Sequence, residues 1–267
     1  IGDELDFQAT FSLPITITGT PSIDVTIGSK TVKANLVGTV SAATTATFRY
    51  TITEGDLDTD GIALASSIDL NGATMKDEFN VDAITGLNNV GSTAAILVDG
   101  IRAIPTLSTS AGTLTNAAFS TTVTYDEPVT GFELTDLTVT NGVASNLEVV
   151  TAGSVWRVTI TPAADGTVSV AIPAGTVNDQ AGNTSAASAN TVSTTFDGTA
   201  PQVSSISRAE ADQIPTGTTS RKYTVTFSEV VNGVDATDFE VVATGTAVAT
   251  VGTVTTTDNK TYTVTIQ

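Results

Sequence analysis

Carboxylates are the side chains best placed to do metal or acid–base chemistry in this chain, which carries 28 Asp and Glu but no His and no Cys. Without thiolate or imidazole ligands, a bound metal must be a hard, oxygen-seeking one. Asp56, Asp58 and Asp60 alternate in Gly55-Asp-Leu-Asp-Thr-Asp-Gly61, the spacing of the first half of an EF-hand calcium loop. Its twelfth position must be a bidentate Glu and is Ser67, so a complete EF-hand is not expected. A calcium turn between strands and a plain acidic hairpin tip both fit the loop. Further acids, Asp99, Glu127, Asp179, Asp197 and Glu229, stand in short stretches that also hold Gly or Pro.

Other chemistry finds little to work with. No His is present as a base, and the Ser residues lie in Thr, Ser and Ala-rich stretches without a nucleophile-elbow pattern, so the chain reads as non-enzymatic. Lys30, Lys33 and Lys76 sit in no arrangement that suggests an intramolecular isopeptide bond. A net charge of -18 repels phosphate backbones and anionic lipid surfaces, which argues against nucleic-acid partners. No apolar run approaches the roughly 20 residues that span a bilayer, so direct membrane insertion is not expected.

The elements that must carry these acids are strands. Hydrophobic residues make up 40% of the chain, mostly Val, Ile, Ala and Leu among abundant Thr and Ser, with only ten Lys and Arg to decorate helix faces. Leu5, Phe7, Ala9 and Phe11 alternate with Asp6, Gln8 and Thr10, and Trp156, Val158 and Ile160 alternate with Arg157 and Thr159. Similar runs hold Ile23, Val25, Ile27; Val168, Val170, Ile172; and Tyr223, Val225, Phe227. Period-two alternation predicts strands with one packed and one solvated face, which puts Trp156 in a core rather than on a sugar-stacking surface. Repeats such as Thr261-Tyr-Thr-Val-Thr265 are explained by the strand propensity of outward Thr.

An internal repeat sets the domain count. Val123-Thr-Tyr-Asp-Glu-Pro-Val-Thr-Gly returns as Val225-Thr-Phe-Ser-Glu-Val-Val-Asn-Gly, an offset of 102 residues (225 − 123), and Trp156–Ile160 returns as Tyr262–Ile266. Phe7–Thr16 is a more distant match to Thr121–Thr130. Asp99-Gly-Ile-Arg-Ala-Ile-Pro105 and Asp197-Gly-Thr-Ala-Pro201 punctuate the repeats as short linkers. The expected division is 1–99 with its N-terminal strand missing, 100–198 complete, and 199–267 truncated at its C-terminal side. Several short strands in each predict an all-β chain of tandem immunoglobulin-like β-sandwiches.

The motifs Tyr125-Asp-Glu-Pro-Val129, Val177-Asn-Asp-Gln-Ala-Gly-Asn183, Phe196-Asp-Gly-Thr-Ala-Pro201 and Phe227-Ser-Glu-Val-Val231, with Gly55–Ile62 in the first unit, resemble the bacterial immunoglobulin-like repeats of large surface adhesins of the biofilm-associated and RTX type. That resemblance implies an extracellular, cell-surface rod of many domains, with calcium (Ca2+) at the junctions. Its partners would be the neighbouring repeats of the same chain, and a host, cell-surface or glycan ligand would be reached through other domains. Where the later units have Glu127 and Glu229, the first has Leu13, which weighs against a cation site ahead of it.

In a seven-strand sandwich, the loop after the second strand and the loop before the last strand share the pole facing the preceding domain. Glu127 and Asp179 are therefore expected to meet there, with Asp99 entering from the linker and the Asp56–Asp60 loop hanging towards the same junction. So many like charges require a counter-ion, and calcium, with six to eight oxygen ligands in a tolerant geometry, fits better than magnesium. Asp197 and Glu229 would repeat the arrangement at the next junction. Three roles follow for the chain: a calcium-stiffened adhesin stalk, a ligand- or glycan-binding module, or spacer domains of a secreted enzyme or surface layer protein.

Overall fold

A computed structural model describes residues 1–209, 220–242 and 248–267. Among them the regular structure is strand, broken by two single-turn 3-10 helices. Contacts divide the chain into two compact units, Ile1–Asp197 and Gly198–Gln267.

The first unit has two separate apolar cores, one built from residues before Val98 and Val98 itself, the other from Ala103 onward. Its first lobe is formed by β1 (Glu4–Thr18), β2 (Ser22–Ile27), β3 (Lys30–Leu36), β4 (Ala43–Thr51), β5 (Leu57–Asp58), β6 (Ala63–Asp69), β7 (Thr74–Asp77) and β8 (Val98–Asp99). Six of these form one sheet in the order β6-β2-β3-β4-β1-β7, and β5 pairs with β8. Strand β1 serves two neighbours: Glu4–Thr10 pair with β4, a register shift follows between Thr10 and Ile15, where Ile15 meets Ala43 of β4, and Ile15–Thr18 pair with β7 on the other side. Ile15, Ile23, Val25, Ile27, Phe48 and Ile68 fill this core.

The second lobe holds β9 (Pro105–Thr109), β10 (Leu114–Thr115), β11 (Phe119–Tyr125), β12 (Val129–Thr130), β13 (Thr138–Thr140), β14 (Gly142–Thr151), β15 (Val155–Pro162), β16 (Gly166–Ala171), β17 (Asn178–Asp179) and β18 (Val192–Phe196). Two four-stranded sheets, β10-β18-β16-β13 and β14-β15-β11-β9, enclose one core, and β12 pairs with β17 at one end. The alternation read from the sequence is realised: Trp156, Val158 and Ile160 from one sheet meet Val168 and Val170 from the other. The β14–β15 hairpin closes at Gly153, whose positive φ of 76° suits a residue without Cβ.

The second unit contains β19 (Val203–Arg208), β20 (Arg221–Phe227), β21 (Val251–Thr256) and β22 (Thr261–Ile266), in the order β19-β20-β22-β21. The repeat seen in sequence is also a repeat of register, because Val123 faces Trp156 in the second lobe and Val225 faces Tyr262 here. Both pairs are buried.

Candidate metal centre

Three strand ends bring three acids together. Asp99 closes β8, Asp179 closes β17, and Glu127 lies in the loop between β11 and β12, whose pairing with β17 places Val129 opposite Asp179. Carboxylate oxygens of Asp99, Glu127 and Asp179 all lie within 4.8 Å of one another, and Asp179 is buried. Crowding has an electrostatic cost. Burial pushes the Glu127 carboxyl above the ordinary glutamate range, and Asp99, Asp179 and Asp126 raise it further. An all-oxygen donor set of three convergent carboxylates suits a hard divalent cation such as calcium.

One residue the sequence reading passed over organises this junction. Asn183 is 3% exposed; its amide N–H donates to Asp179 Oδ1 at 2.8 Å. Its side-chain Nδ2 donates to Asp179 Oδ2 at 2.9 Å, to the Asp99 carbonyl at 2.9 Å and to the Ile101 carbonyl at 3.1 Å. A single side chain therefore fixes one ligand carboxylate and the linker that carries another. The signal was in the motif itself, since Asp179 and Asn183 stand four apart around Gly182, which takes the positive φ of 89° that closes the turn.

The expected convergence of five carboxylates does not form. The Asp56–Asp60 loop reaches the junction, but through its backbone: Gly55 N donates to the Gly100 carbonyl at 2.8 Å, and Gly100 N donates to the Asp56 carbonyl at 2.6 Å. The Asp56 and Asp58 carboxylates turn back into the first lobe. Asp56 Oδ2 accepts from Tyr50 Oη at 2.7 Å, Thr53 N at 2.8 Å and Thr53 Oγ1 at 2.9 Å, while Oδ1 meets Lys30 Nζ at 3.2 Å. Asp58 Oδ2 accepts from Gly28 N at 2.7 Å, and its Oδ1 from Gly61 N at 2.6 Å and Asp60 N at 3.2 Å. These donors satisfy both groups as a metal would, so the loop is held by the protein's own N–H and O–H groups. Burial opposes ionisation of Asp56, yet the bonds from Tyr50, Thr53 and Lys30 outweigh it and lower its pKa. The Gly28 N–H does most to lower that of Asp58, against burial and with help from Gly61 and Asp60. Asp60 is exposed.

The first lobe repeats the same turn without the site. Ile15 faces Asp77 as Val129 faces Asp179, and the Asp77 amide donates to the Val81 carbonyl as that of Asp179 donates to Asn183. Leu13 then stands where the second lobe has Glu127, and Val81 where it has Asn183. One acid remains of the set, so this end of the first lobe lacks the convergence. Asp197 and Glu229 belong to different compact units. Glu229 follows β20 by two residues, as Glu127 follows β11.

Residues 102–196 match the family model of the bacterial Ig-like domain. The second lobe is a bacterial Ig-like domain. No curated protein matches the chain. Among solved structures, the chain is similar to FdeC, an Escherichia coli adhesin, at 14% identity over 100% of this chain and 84% of that one, with a TM-score of 0.36. It is similar to invasin, a bacterial integrin-binding protein, at 14% identity over 98% of this chain and 54% of that one, also with a TM-score of 0.36. The surface layer protein SbsC gives 15% identity, 100% and 49% coverage and a TM-score of 0.23. No helix among the described residues is long and apolar enough to cross a membrane.

The acidic triad of the Ig-like domain predicts a reversed mutational effect. Glu127 has a raised folded pKa, so the stability it contributes is present below the ordinary glutamate value and is lost as pH rises through the raised one. In chelator at pH ~7, Glu127→Gln should therefore stabilise the protein by about 1 kcal/mol, the scale of one like-charge contact near 4 Å in water. The gain should vanish near pH 4, where glutamate is half protonated anyway. Denaturant unfolding at the two pH values checks this, and a loss of stability at pH ~7 would contradict it.

Proposed function

We propose that this chain is a non-catalytic stalk segment of a bacterial cell-surface adhesin. Calcium bound by Asp99, Glu127 and Asp179 locks one repeat to the next and makes an extended rod. On this reading the repeats divide at 1–99, 100–198 and 199–267, with Asp197 and Glu229 serving the second junction as Asp99 and Glu127 serve the first. The supporting observation is the meeting of the linker carboxylate Asp99 with Glu127 and Asp179 across the boundary between two apolar cores. A cation there would offset the repulsion that raises Glu127 and would tie the linker to the Ig-like domain. Reach and stiffness, rather than turnover, are then what the segment supplies, and the distal ligand is bound elsewhere in the parent protein.

Calcium at 100 times its Kd should stabilise the first unit by about 2.7 kcal/mol by mass action alone. Asp99→Asn combined with Asp179→Asn should abolish that gain. Titration calorimetry measures the binding, and small-angle scattering with calcium or with chelator measures the stiffening. Absence of binding heat together with identical scattering curves would dismiss the mechanism and leave the fold untouched.

A further inference from the structure

The first and last segments of the Ig-like domain run side by side in the same direction. Where the chain enters, Arg102 Nη1 donates to the Thr184 carbonyl at 2.8 Å, and Ala186 N donates to the Ala103 carbonyl at 2.9 Å. Ala189 N follows on the Pro105 carbonyl at 2.9 Å. Asn190 then holds Leu107 by both backbone groups, accepting from its N–H at 2.9 Å and donating to its carbonyl at 2.8 Å. Where the chain leaves, Thr194 Oγ1 donates to the Gly112 carbonyl at 2.7 Å, Thr195 N to that of Thr113 at 3.0 Å and Asp197 N to that of Thr115 at 2.9 Å. Strands β10 and β18 are accordingly paired parallel. The partners keep nearly one offset throughout (184 − 102 = 82, 189 − 105 = 84, 197 − 115 = 82), so the two segments advance together from one end of the domain to the other.

Direction decides how such a seam carries load. Arg102 lies beside Thr184 at the entry end and Asp197 beside Thr115 at the exit end, so tension on the chain draws the two segments in opposite senses along the seam. Bonds across it are then strained together. In an antiparallel pair of terminal segments the chain would enter and leave at one end, and the bonds would break one after another. Each segment is also held from behind, β9 by β11 and β18 by β16. Those pairs belong to different sheets, and the N-terminal segment changes sheet between β9 and β10, so pulling it free must open both layers of the sandwich. Leu107 and Thr194 are buried, which keeps competing water away from the bonds they make.

We propose that the second lobe is a load-bearing domain, in which the parallel seam between residues 102–115 and 184–197 is the clamp that resists tension along the chain. Its resistance is kinetic, because forced opening follows the unfolding rate and the seam must rupture before the core behind it is exposed. Asn190 and Thr194 are its side-chain fastenings, and the backbone bonds at Thr113 and Thr115 are its last turns. This role goes beyond reach and stiffness. It is also independent of any cation, since Asp99, Glu127 and Asp179 lie outside the seam.

The test is single-molecule force spectroscopy on the full 267-residue chain, in chelator, with pulling handles attached through introduced cysteines, since the chain has none of its own. Handles at Ile104→Cys and Ala200→Cys load the seam in shear, and handles at Ile104→Cys and Ala187→Cys peel it from its entry end. At one loading rate the shear force should exceed the peeling force roughly twofold or more. Asn190→Ala and Thr194→Val, made on the shear-loaded chain, should each lower the rupture force by about a quarter through the bonds they remove. Val139→Ala serves as the control: it thins the core from β13, which carries no part of the seam, and should cost chemical stability while leaving the shear force unchanged. If a seam variant misfolds, the two loading directions on the otherwise unaltered chain carry the test by themselves. Equal forces in the two directions, or a shear force that falls as much with Val139→Ala as with Asn190→Ala, would overturn the proposal and leave the lobe a spacer.

Discussion

Trp156→Ala is expected to cost the bacterial Ig-like domain about 3–5 kcal/mol, enough to unfold many domains of this size at 37 °C. Trp156 is 6% exposed, and two rings stand against it: Tyr125 edge-on at 5.9 Å and 86°, and Phe132 at 4.9 Å and 49°. Tyr125 is fixed at the end of β11 and Trp156 is paired to both β11 and β14, so the walls of the resulting cavity cannot close over it. Trp156→Tyr should cost far less, about 1–2 kcal/mol, and the molecule supplies the reason. Tyr262 holds the equivalent position in the second unit, edge-on to Phe227 at 5.7 Å and 85°. Its hydroxyl donates to the Val231 carbonyl at 2.5 Å. A Tyr at position 156 would meet the carbonyl of Val129, the residue 102 positions before Val231 in the repeat (231 − 129). Denaturant unfolding followed by far-UV circular dichroism, which needs no tryptophan, separates the two variants. Equal losses for Ala and Tyr would mean that the ring cluster is not what holds the sheets together.

The same example shows what the order of residues can reveal. Alternation at Trp156, Val158 and Ile160 is a property of one strand, and it fixes the packed face whatever the neighbours are. Convergence of Glu127 with Asp179 was legible for a related reason, because sandwich topology sends both loops to one pole. The fate of Asp56 and Asp58 was not legible. Their spacing is that of a calcium loop, but their donors arrive from Gly28, Lys30 and Tyr50 on other strands, and spacing says nothing about those. Phe7 and Phe11 were legible as an inward row for the same reason as Trp156, and both are half-buried against the first core. Asn183 escaped because an amide side chain has no charge to draw attention, while its three acceptors sit on the linker and on β17.

Asn183→Leu should accordingly be strongly damaging at the junction, costing about 2–4 kcal/mol by leaving the carbonyls of Asp99 and Ile101 and the Asp179 carboxylate without this donor. What is lost is the bridge from the Ig-like domain to the linker. The first unit should then unfold in two steps, one for each apolar core, with amide exchange at Ile101 accelerated before either. Asn183→Asp separates hydrogen bonding from charge. It keeps the shape but adds a fourth carboxylate beside Asp99, Glu127 and Asp179, so in chelator it should be at least as unstable as the leucine variant. Calcium should restore the aspartate variant and leave the leucine variant less responsive, because only the former gains an oxygen ligand where the donor was lost. If both variants stayed within 0.5 kcal/mol of the parent, the junction would owe its order to the backbone bonds at Gly55 and Gly100 alone.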